Sequence, residues 1–254
     1  MQRLILVFIS LLTFTCAHAS QTVKAEPNRS NDHAIIQRRR IVLTRSPALA
    51  KAFPHKKQAV VVYPVVSGLS PTVLRRVHSI LDFKNIFDYS LKEYREDTWL
   101  SEFGYVLNYN KNYLFDITFT QSGSGAYPDD QSKHFLINLR DGSIVKAADV
   151  FQSDKLSQVV TLVDRQLQKE IEELKRENSD PESKETIDEA YDNLKFELKD
   201  LDDFSVGAKG ITFLYDAGFP HVIRALEPAG RYFVSYETLR DVIKRDGPLG
   251  QFVR

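Results

Sequence analysis

The sequence is poor in the residues that build disulfide and metal frameworks. Its 254 residues include one cysteine, Cys16, which lies in an N-terminal segment that is predicted to be cleaved. We therefore expect a mature chain without a disulfide. The six histidines are scattered, and no H-x-x-x-H or H-E-x-x-H pair occurs. The sequence predicts no metal site, and stability must come from a packed core.

Signatures of catalysis and nucleotide binding are also missing. No Walker loop or dinucleotide fingerprint occurs, and Gly123-Ser124-Gly125 is a glycine turn, not the G-x-S-x-G elbow of a serine hydrolase. Asp200, Asp202 and Asp203 resemble a calcium loop only loosely, because the closing glutamate is absent. We therefore predict no catalytic residue, no metal and no cofactor.

An excess of one charge is absent as well. The chain has 34 Lys and Arg against 34 Asp and Glu, so nothing general attracts it to nucleic acid or anionic lipid. Charges interrupt every long apolar stretch after residue 19. The sequence thus predicts no nucleic-acid partner and no membrane span in the mature chain.

The first nineteen residues have the pattern of a signal peptide. Arg3 supplies a positive charge, residues 4–14 are apolar, and Ala17-His18-Ala19 fits the small-x-small cleavage rule. We expect export to the bacterial periplasm or medium, with a mature chain that begins at Ser20. Retention of residues 1–19 as an uncleaved anchor is the alternative.

Residues 20–57 are polar and are predicted to be a linker. Arg38-Arg39-Arg40 could bind anionic envelope polymers or simply be a solvated part of this linker. Residues 41–43 could add a short strand to the folded part. The domain is predicted at 58–246 and a tail at 247–254.

Alternation of apolar and polar residues predicts an antiparallel sheet with one buried face. Residues 59–64 are predicted to form a buried strand and residues 86–94 an alternating strand. Residues 100–109 and 113–120 are predicted to form a hairpin, closed by Asn110-Lys111-Asn112.

Helical periodicity interrupts the strands at 154–201, where two amphipathic helices are predicted to form an inserted hairpin. Strands are predicted again at 204–216, 222–226 and 232–234, and Ser235 is predicted to cap a last helix. This order implies an α+β fold, with an antiparallel sheet packed against helices.

The turn at 122–130 is the predicted ligand-binding site. Its glycines permit close backbone approach, and Tyr127 offers an amphipathic ring whose freedom Pro128 limits. The alternative is that Tyr127 folds back onto the sheet edge. The predicted ligand-binding residues are Gly123, Ser124, Gly125, Tyr127, Pro128, Asp129 and Asp130.

Several short motifs are spread over residues 58–246. They are Val62-Tyr63-Pro64, the 100–120 hairpin, Gly123–Pro128, Leu139–Gly142, Ala148–Phe151, Gly210–Phe213, Pro228–Gly230 and Val234–Tyr236. Together these motifs resemble the extracellular domain of the RsiV anti-sigma factor family. A similar domain accompanies the catalytic part of the peptidoglycan deacetylase PdaC. Tyr127 replaces the histidine of the family's Gly-Gly-Ala-His-Pro turn, and residues 219–226 depart from its late Tyr-x-Ile-x-Pro segment.

The RsiV domain binds lysozyme, so the resemblance implies a cell-wall polysaccharide or a secreted protein such as lysozyme as the partner. The sequence as a whole predicts a non-catalytic binding module for a cell-envelope ligand. An envelope hydrolase that acts on peptidoglycan or glycan through two carboxylates is the alternative. A third possibility is an assembly role, with self-association through the 154–201 hairpin.

Overall fold

A computed structural model describes residues 32–125, 127–178 and 184–254 of the chain, without the side chains of 184–186. The predicted signal peptide and the first part of the predicted linker lie outside these residues. The α+β prediction is confirmed, because a six-stranded sheet and a three-stranded sheet pack against helices. None of the helices in the described ranges has the length and apolar character needed to cross a membrane.

The larger sheet is antiparallel except for one parallel pair of strands. Its strands, which neighbour one another in chain order, are β1 (Ile35–Thr44), β2 (Gln58–Ser67), β3 (Leu100–Lys111), β4 (Leu114–Ser124), β5 (Pro128–Asn138) and β6 (Ser143–Ile144). The parallel pair is β2 and β3, which are joined by a helical crossover. The β3–β4 hairpin turns at Asn112 and Tyr113, which have φ angles of 55° and 61°.

Three helices cover one face of the larger sheet. They are α2 (Pro71–Ile80), α3 (Phe83–Phe87) and α4 (Leu91–Glu96). Their apolar side chains pack on Phe103, Phe115 and Phe119 of β3 and β4. The other face of this sheet carries polar side chains of the same strands, and Asp116 at its far end contacts Ser205 and Val206.

The prediction of a strand at residues 86–94 is wrong, because most of these residues belong to the helices α3 and α4. Ser90 and Glu93 form a capping box: the Ser90 hydroxyl accepts a hydrogen bond from the Glu93 N–H at 3.2 Å. The Glu93 carboxylate accepts one from the Ser90 N–H at 2.7 Å. These bonds start a helix that the two-residue alternation concealed.

The linker prediction for 20–57 fails from residue 35 onward. Strand β1 pairs with β2 from Ile35 to Thr44, and Leu43 is completely buried against α2–α4. A short helix, α1 (Pro47–Ala52), follows. The segment looks like a linker because β1 is an edge strand with mostly solvent-exposed side chains.

The smaller sheet consists of β7 (Phe204–Val206), β8 (Gly210–Leu214) and β9 (Arg231–Ser235), all antiparallel. It packs on three helices, α5 (Ala147–Val150), α6 (Leu156–Glu177) and α7 (Lys184–Tyr191). The predicted helical hairpin at 154–201 is therefore present, although its second helix ends at Tyr191. Val159, Val163, Leu167 and Ile171 form the buried stripe of α6.

Three details at the C-terminal end differ from the sequence prediction. Residues 222–226 are not a strand but part of a 3-10 helix, His221–Leu226. Residues 236–242 form turns and not a helix, although Leu239, Val242 and Ile243 are buried as expected. Leu249 and Val253 of the predicted tail are also buried, so the tail packs on the core.

Candidate functional site

The candidate site is the open face of the larger sheet, opposite α2–α4. Cross-strand register places Glu102, Ser122 and Asp130 in one row, with Val60 beside Glu102. The next row holds Gly104, Thr120 and Ser132, and continuing the β2–β3 register adds Val62 and, through β1, Arg40. Residues in one row share a face and are neighbours.

These rows line a groove of about 880 Å³ that is open to solvent. Its surface combines aliphatic side chains of β2, hydroxyl groups of β4 and β5, and charged side chains near both sides. The lining residues are Arg38, Arg40, Val60, Val62, Glu102, Phe103, Gly104, Tyr105, Thr120, Gln121, Ser122, Asp130, Gln131 and Ser132.

Charges of opposite sign lie on different strands of the groove. Arg38 and Arg40 are on β1, whereas Glu102 and Asp130 are on β3 and β5. Within the part of the chain that the structure describes, none of these four side chains has an oppositely charged partner within 4.0 Å. All four are exposed and free to contact a ligand.

Gly104 lowers the floor of the groove. A Cβ atom at this position would meet Thr120 Oγ1 at 3.6 Å, which is ordinary van der Waals contact. The backbone at Gly104 therefore has room for a Cβ atom, and the absence of a side chain there leaves space between the β1 side and the β5 side. Glycine inside a strand often marks such a place of close approach.

The predicted binding turn is the tip of the β4–β5 hairpin, and its base is fixed. A Cβ atom on Gly123 would lie 2.2 Å from the carbonyl oxygen of Trp99, so the glycine is required for packing. The Ser124 N–H donates to that same carbonyl at 3.0 Å, and Lys56 Nζ donates to the Ser124 carbonyl. The Gly125 N–H donates to the Tyr127 carbonyl at 3.2 Å.

Tyr127 projects from this tip and is 69% exposed, so it does not fold back onto the sheet edge. Its ring centroid lies 5.2 Å from that of His221, with the rings tilted by 32°. Pro128 begins β5 directly after it. The two rings make an exposed aromatic surface at the end of the hairpin.

The two acidic residues after Pro128 have different surroundings. Asp129 Oδ1 accepts a hydrogen bond from Arg224 Nη1 at 2.8 Å, which lowers the pKa of the Asp129 carboxyl. Asp130 is the predicted site residue that lines the groove. The structure thus separates the predicted set into a packed hairpin base, an exposed aromatic tip and one groove carboxylate.

Hydrogen bonds connect the hairpin to the core beneath it. The Tyr94 hydroxyl donates to Gln121 Oε1, and Gln121 Nε2 donates to Gln131 Oε1 at 2.7 Å. Gln131 Nε2 then donates to Asp129 Oδ2 at 3.3 Å. This connection limits the motion of β4 and β5 near the groove, so the site is largely pre-organised.

A buried carboxylate lies where the smaller sheet covers the far end of the open face. Asp116 Oδ1 accepts hydrogen bonds from Asn108 Nδ2 at 2.7 Å and from His134 Nε2 at 2.9 Å. Asp116 Oδ2 accepts from Ser205 Oγ at 2.9 Å and from the Val206 N–H at 2.7 Å. These four bonds satisfy the carboxylate and join the two sheets.

His134 is held between two carboxylates, because its Nδ1 also lies 2.9 Å from Asp203 Oδ1. Burial alone would lower the pKa of His134, but hydrogen bonds to Asp116 and Asp203 outweigh burial and raise it to about 9. Ser205 contacts Asp116 and not the imidazole, and both ring nitrogens are engaged. The cluster therefore lacks the arrangement of a serine nucleophile with its base.

Residues 32–125, 127–178 and 184–254 contain no group of three or more His, Cys, Asp or Glu side chains placed to hold a metal ion. Most of the groove has no signal in the sequence, including Val60, Val62, Glu102 and Thr120. Arg38 and Arg40 were noted as a basic run that could bind anionic polymers, and this was the signal that could have found the β1 side.

Comparisons with known proteins show a similarity of fold only. No family model and no curated protein matches the chain. The crystal structure of a DUF3298 family protein from Pseudomonas aeruginosa PAO1 has a TM-score of 0.52 at 10% identity, over 86% of this chain and 97% of that one. A DUF3298 family member from Bacteroides fragilis NCTC 9343 has a TM-score of 0.46 at 14% identity, over 87% and 98%. The chain is similar in fold to the Pseudomonas protein, which agrees at a coarse level with the RsiV-like resemblance.

Proposed function

We propose that this protein is a non-catalytic binding module that holds a cell-envelope glycan in the open groove of the larger sheet. The observation that carries the proposal is the groove itself, with about 880 Å³ of space and exposed charged side chains along an aliphatic and hydroxyl-rich floor. Hydroxyl, carboxylate and guanidinium groups can all form hydrogen bonds with sugar hydroxyl groups. The predicted signal peptide supports an envelope location for the ligand.

The charges of the groove favour a glycan over a basic protein such as lysozyme. Glu102 and Asp130 would attract a basic surface, but Arg38 and Arg40 on the same groove would repel it. The exposed ring of Tyr127, at the tip of the hairpin that carries Asp130, offers a surface on which a sugar can stack. Lysozyme is therefore the alternative ligand whose binding is compared with that of the glycan.

Glu102 and Asp130 also give the hydrolase alternative a specific basis. They face the same groove in one row, with only Ser122 between them. A strand spacing of about 4.8 Å puts their Cα atoms about 10 Å apart, a distance from which two carboxyl groups could act on one bond. The open position of both groups, without the closure that excludes water, favours binding over catalysis.

The test is a titration of the purified protein with soluble peptidoglycan fragments and, separately, with lysozyme. We expect saturable glycan binding with no change in fragment mass by mass spectrometry. Binding of lysozyme without glycan binding would contradict the proposal. Release of shorter fragments, abolished by Glu102→Gln or Asp130→Asn, would replace it with the hydrolase function.

A further inference from the structure

We propose that the groove selects a glycan that carries both charges, with a carboxylate held at the β1 side and an ammonium group held between β3 and β5. This inference rests on the proposed function and adds the chemical class of the ligand. It follows from where the four unpaired charges of the groove lie relative to one another.

Arg38 and Arg40 form the positive side. They are two residues apart on β1, so their side chains leave the strand on the same face, with Cα atoms about 7 Å apart. Both are exposed and both line the groove. A guanidinium group binds a carboxylate through two parallel hydrogen bonds, which a neutral sugar cannot match.

Glu102 and Asp130 form the negative side. Ser122 lies between them in the same row and offers a hydroxyl group to the same ligand atoms. The neighbouring carboxylate of Asp129 already forms a salt bridge with Arg224, so Asp129 is less available to bind an ammonium group. Two carboxylates that share a row without a cation fit an ammonium group.

The spacing between the two sides keeps them from neutralising each other. Arg40 lies two strands away from Glu102 and one row further along, so their Cα atoms are about 12 Å apart in a flat sheet. Val60 and Val62 separate them on the floor. A ligand with one charge is attracted at one side and repelled at the other, whereas a ligand with both charges is attracted at both.

The experiment compares four soluble oligosaccharides of equal length by calorimetry. One is neutral and N-acetylated, one carries only a lactyl carboxylate, one carries only a free amine, and one carries both. We expect the last to bind at least about tenfold more tightly than the neutral probe, a difference of about 1.4 kcal/mol. Equal affinity for the neutral and the doubly charged probe would overturn the inference and leave the proposed function standing.

Variants of the groove test which of its two sides binds the carboxylate of the ligand and which binds the ammonium group. The double variant R38A/R40A should lose the gain in affinity that the carboxylate of the probe provides and keep the gain that the amine provides. The double variant E102Q/D130N should lose the gain from the amine and keep the gain from the carboxylate. Arg75→Ala on α2 and Glu172→Gln on α6 are matched controls, because both residues are exposed and lie outside the groove lining. Equal losses in both double variants for every probe would overturn the inference. Failure of all probes to bind would overturn the proposed function and the inference together.

Discussion

Two glycines of the larger sheet differ in what a methyl group would meet. At Gly123 a Cβ atom would lie 2.2 Å from the Trp99 carbonyl oxygen, whereas at Gly104 the nearest atom is 3.6 Å away. We predict that Gly123→Ala lowers the free energy of unfolding by about 1–3 kcal/mol, through overpacking. Gly104→Ala should leave it within about 0.5 kcal/mol of the wild type.

Urea unfolding followed by the fluorescence of Trp99 measures both glycine variants. Trp99 is the one tryptophan in the sequence and contacts the hairpin base, so its signal is simple to assign. Equal stability of the two variants would show that the packing of Gly123 against Trp99 is not required.

We propose that Tyr127 contributes to ligand binding and not to stability. Because its side chain is 69% exposed, Tyr127→Ala should change the free energy of unfolding by less than about 0.5 kcal/mol. Loss of a stacked sugar should weaken glycan affinity by about fivefold, or about 1 kcal/mol. Tyr127→Phe is the matched control and should retain the affinity. Unchanged affinity of the alanine variant would remove the hairpin tip from the site.

Substitutions in strand β1 test whether this segment belongs to the folded domain or to a linker. Leu43 is fully buried and its neighbour Val42 is 39% exposed on the opposite face. We predict that Leu43→Ala costs about 2–5 kcal/mol of unfolding free energy and Val42→Ala less than about 1 kcal/mol. If this segment were a linker, the two variants would have the same stability. Equal effects in denaturant unfolding would therefore contradict the assignment of β1 as a strand of the folded domain.

How far the elements follow from the sequence depends on how local their signals are. Helix α6 and the β3–β4 hairpin were predictable, since one has a regular apolar stripe and the other a turn between alternating strands. Of strand β1 only residues 41–43 were predicted, because an edge strand needs few apolar residues and its partner lies across a turn and a short helix. The helices α3 and α4 are too short for periodicity to identify them, and only their caps mark them.

The candidate site was less predictable than the fold. The groove exists because β2 and β3 pair in parallel, which places Val60 beside Glu102 although the two residues are far apart in the chain. No local pattern of the sequence encodes that register. The hairpin tip was predictable because glycine and proline mark turns locally, but Val60, Glu102 and Thr120 share no such signal.

At the scale of the whole molecule, the cluster of Asp116, His134 and Asp203 joins the two sheets and makes stability depend on pH. The pKa of His134 is about 9 in the folded protein and near 6.5 when unfolded. The protonated imidazole therefore stabilises the fold fully below pH 6.5, and this contribution is lost as pH rises through 9. We predict that the free energy of unfolding falls by up to about 3 kcal/mol over that interval.

Denaturant unfolding at several pH values, with His134 followed by NMR, measures this effect. The variant Asp203→Asn is the matched comparison, since it removes one of the two carboxylates and should make the decline smaller. A decline of the same size in both proteins, or a stability that does not change between pH 6.5 and 9, would contradict the role of the cluster.

The most direct measurement is the affinity of Gly104→Val for soluble peptidoglycan fragments, beside that of the wild type. Valine suits a β-strand and its Cβ atom meets only ordinary contacts, so the fold should be kept, while its methyl groups fill the floor of the groove. We expect affinity to fall at least about tenfold, or about 1.4 kcal/mol, with unfolding free energy unchanged. Glycan binding as tight as that of the wild type, by a folded protein with valine on the floor of the groove, would contradict the assignment of the site.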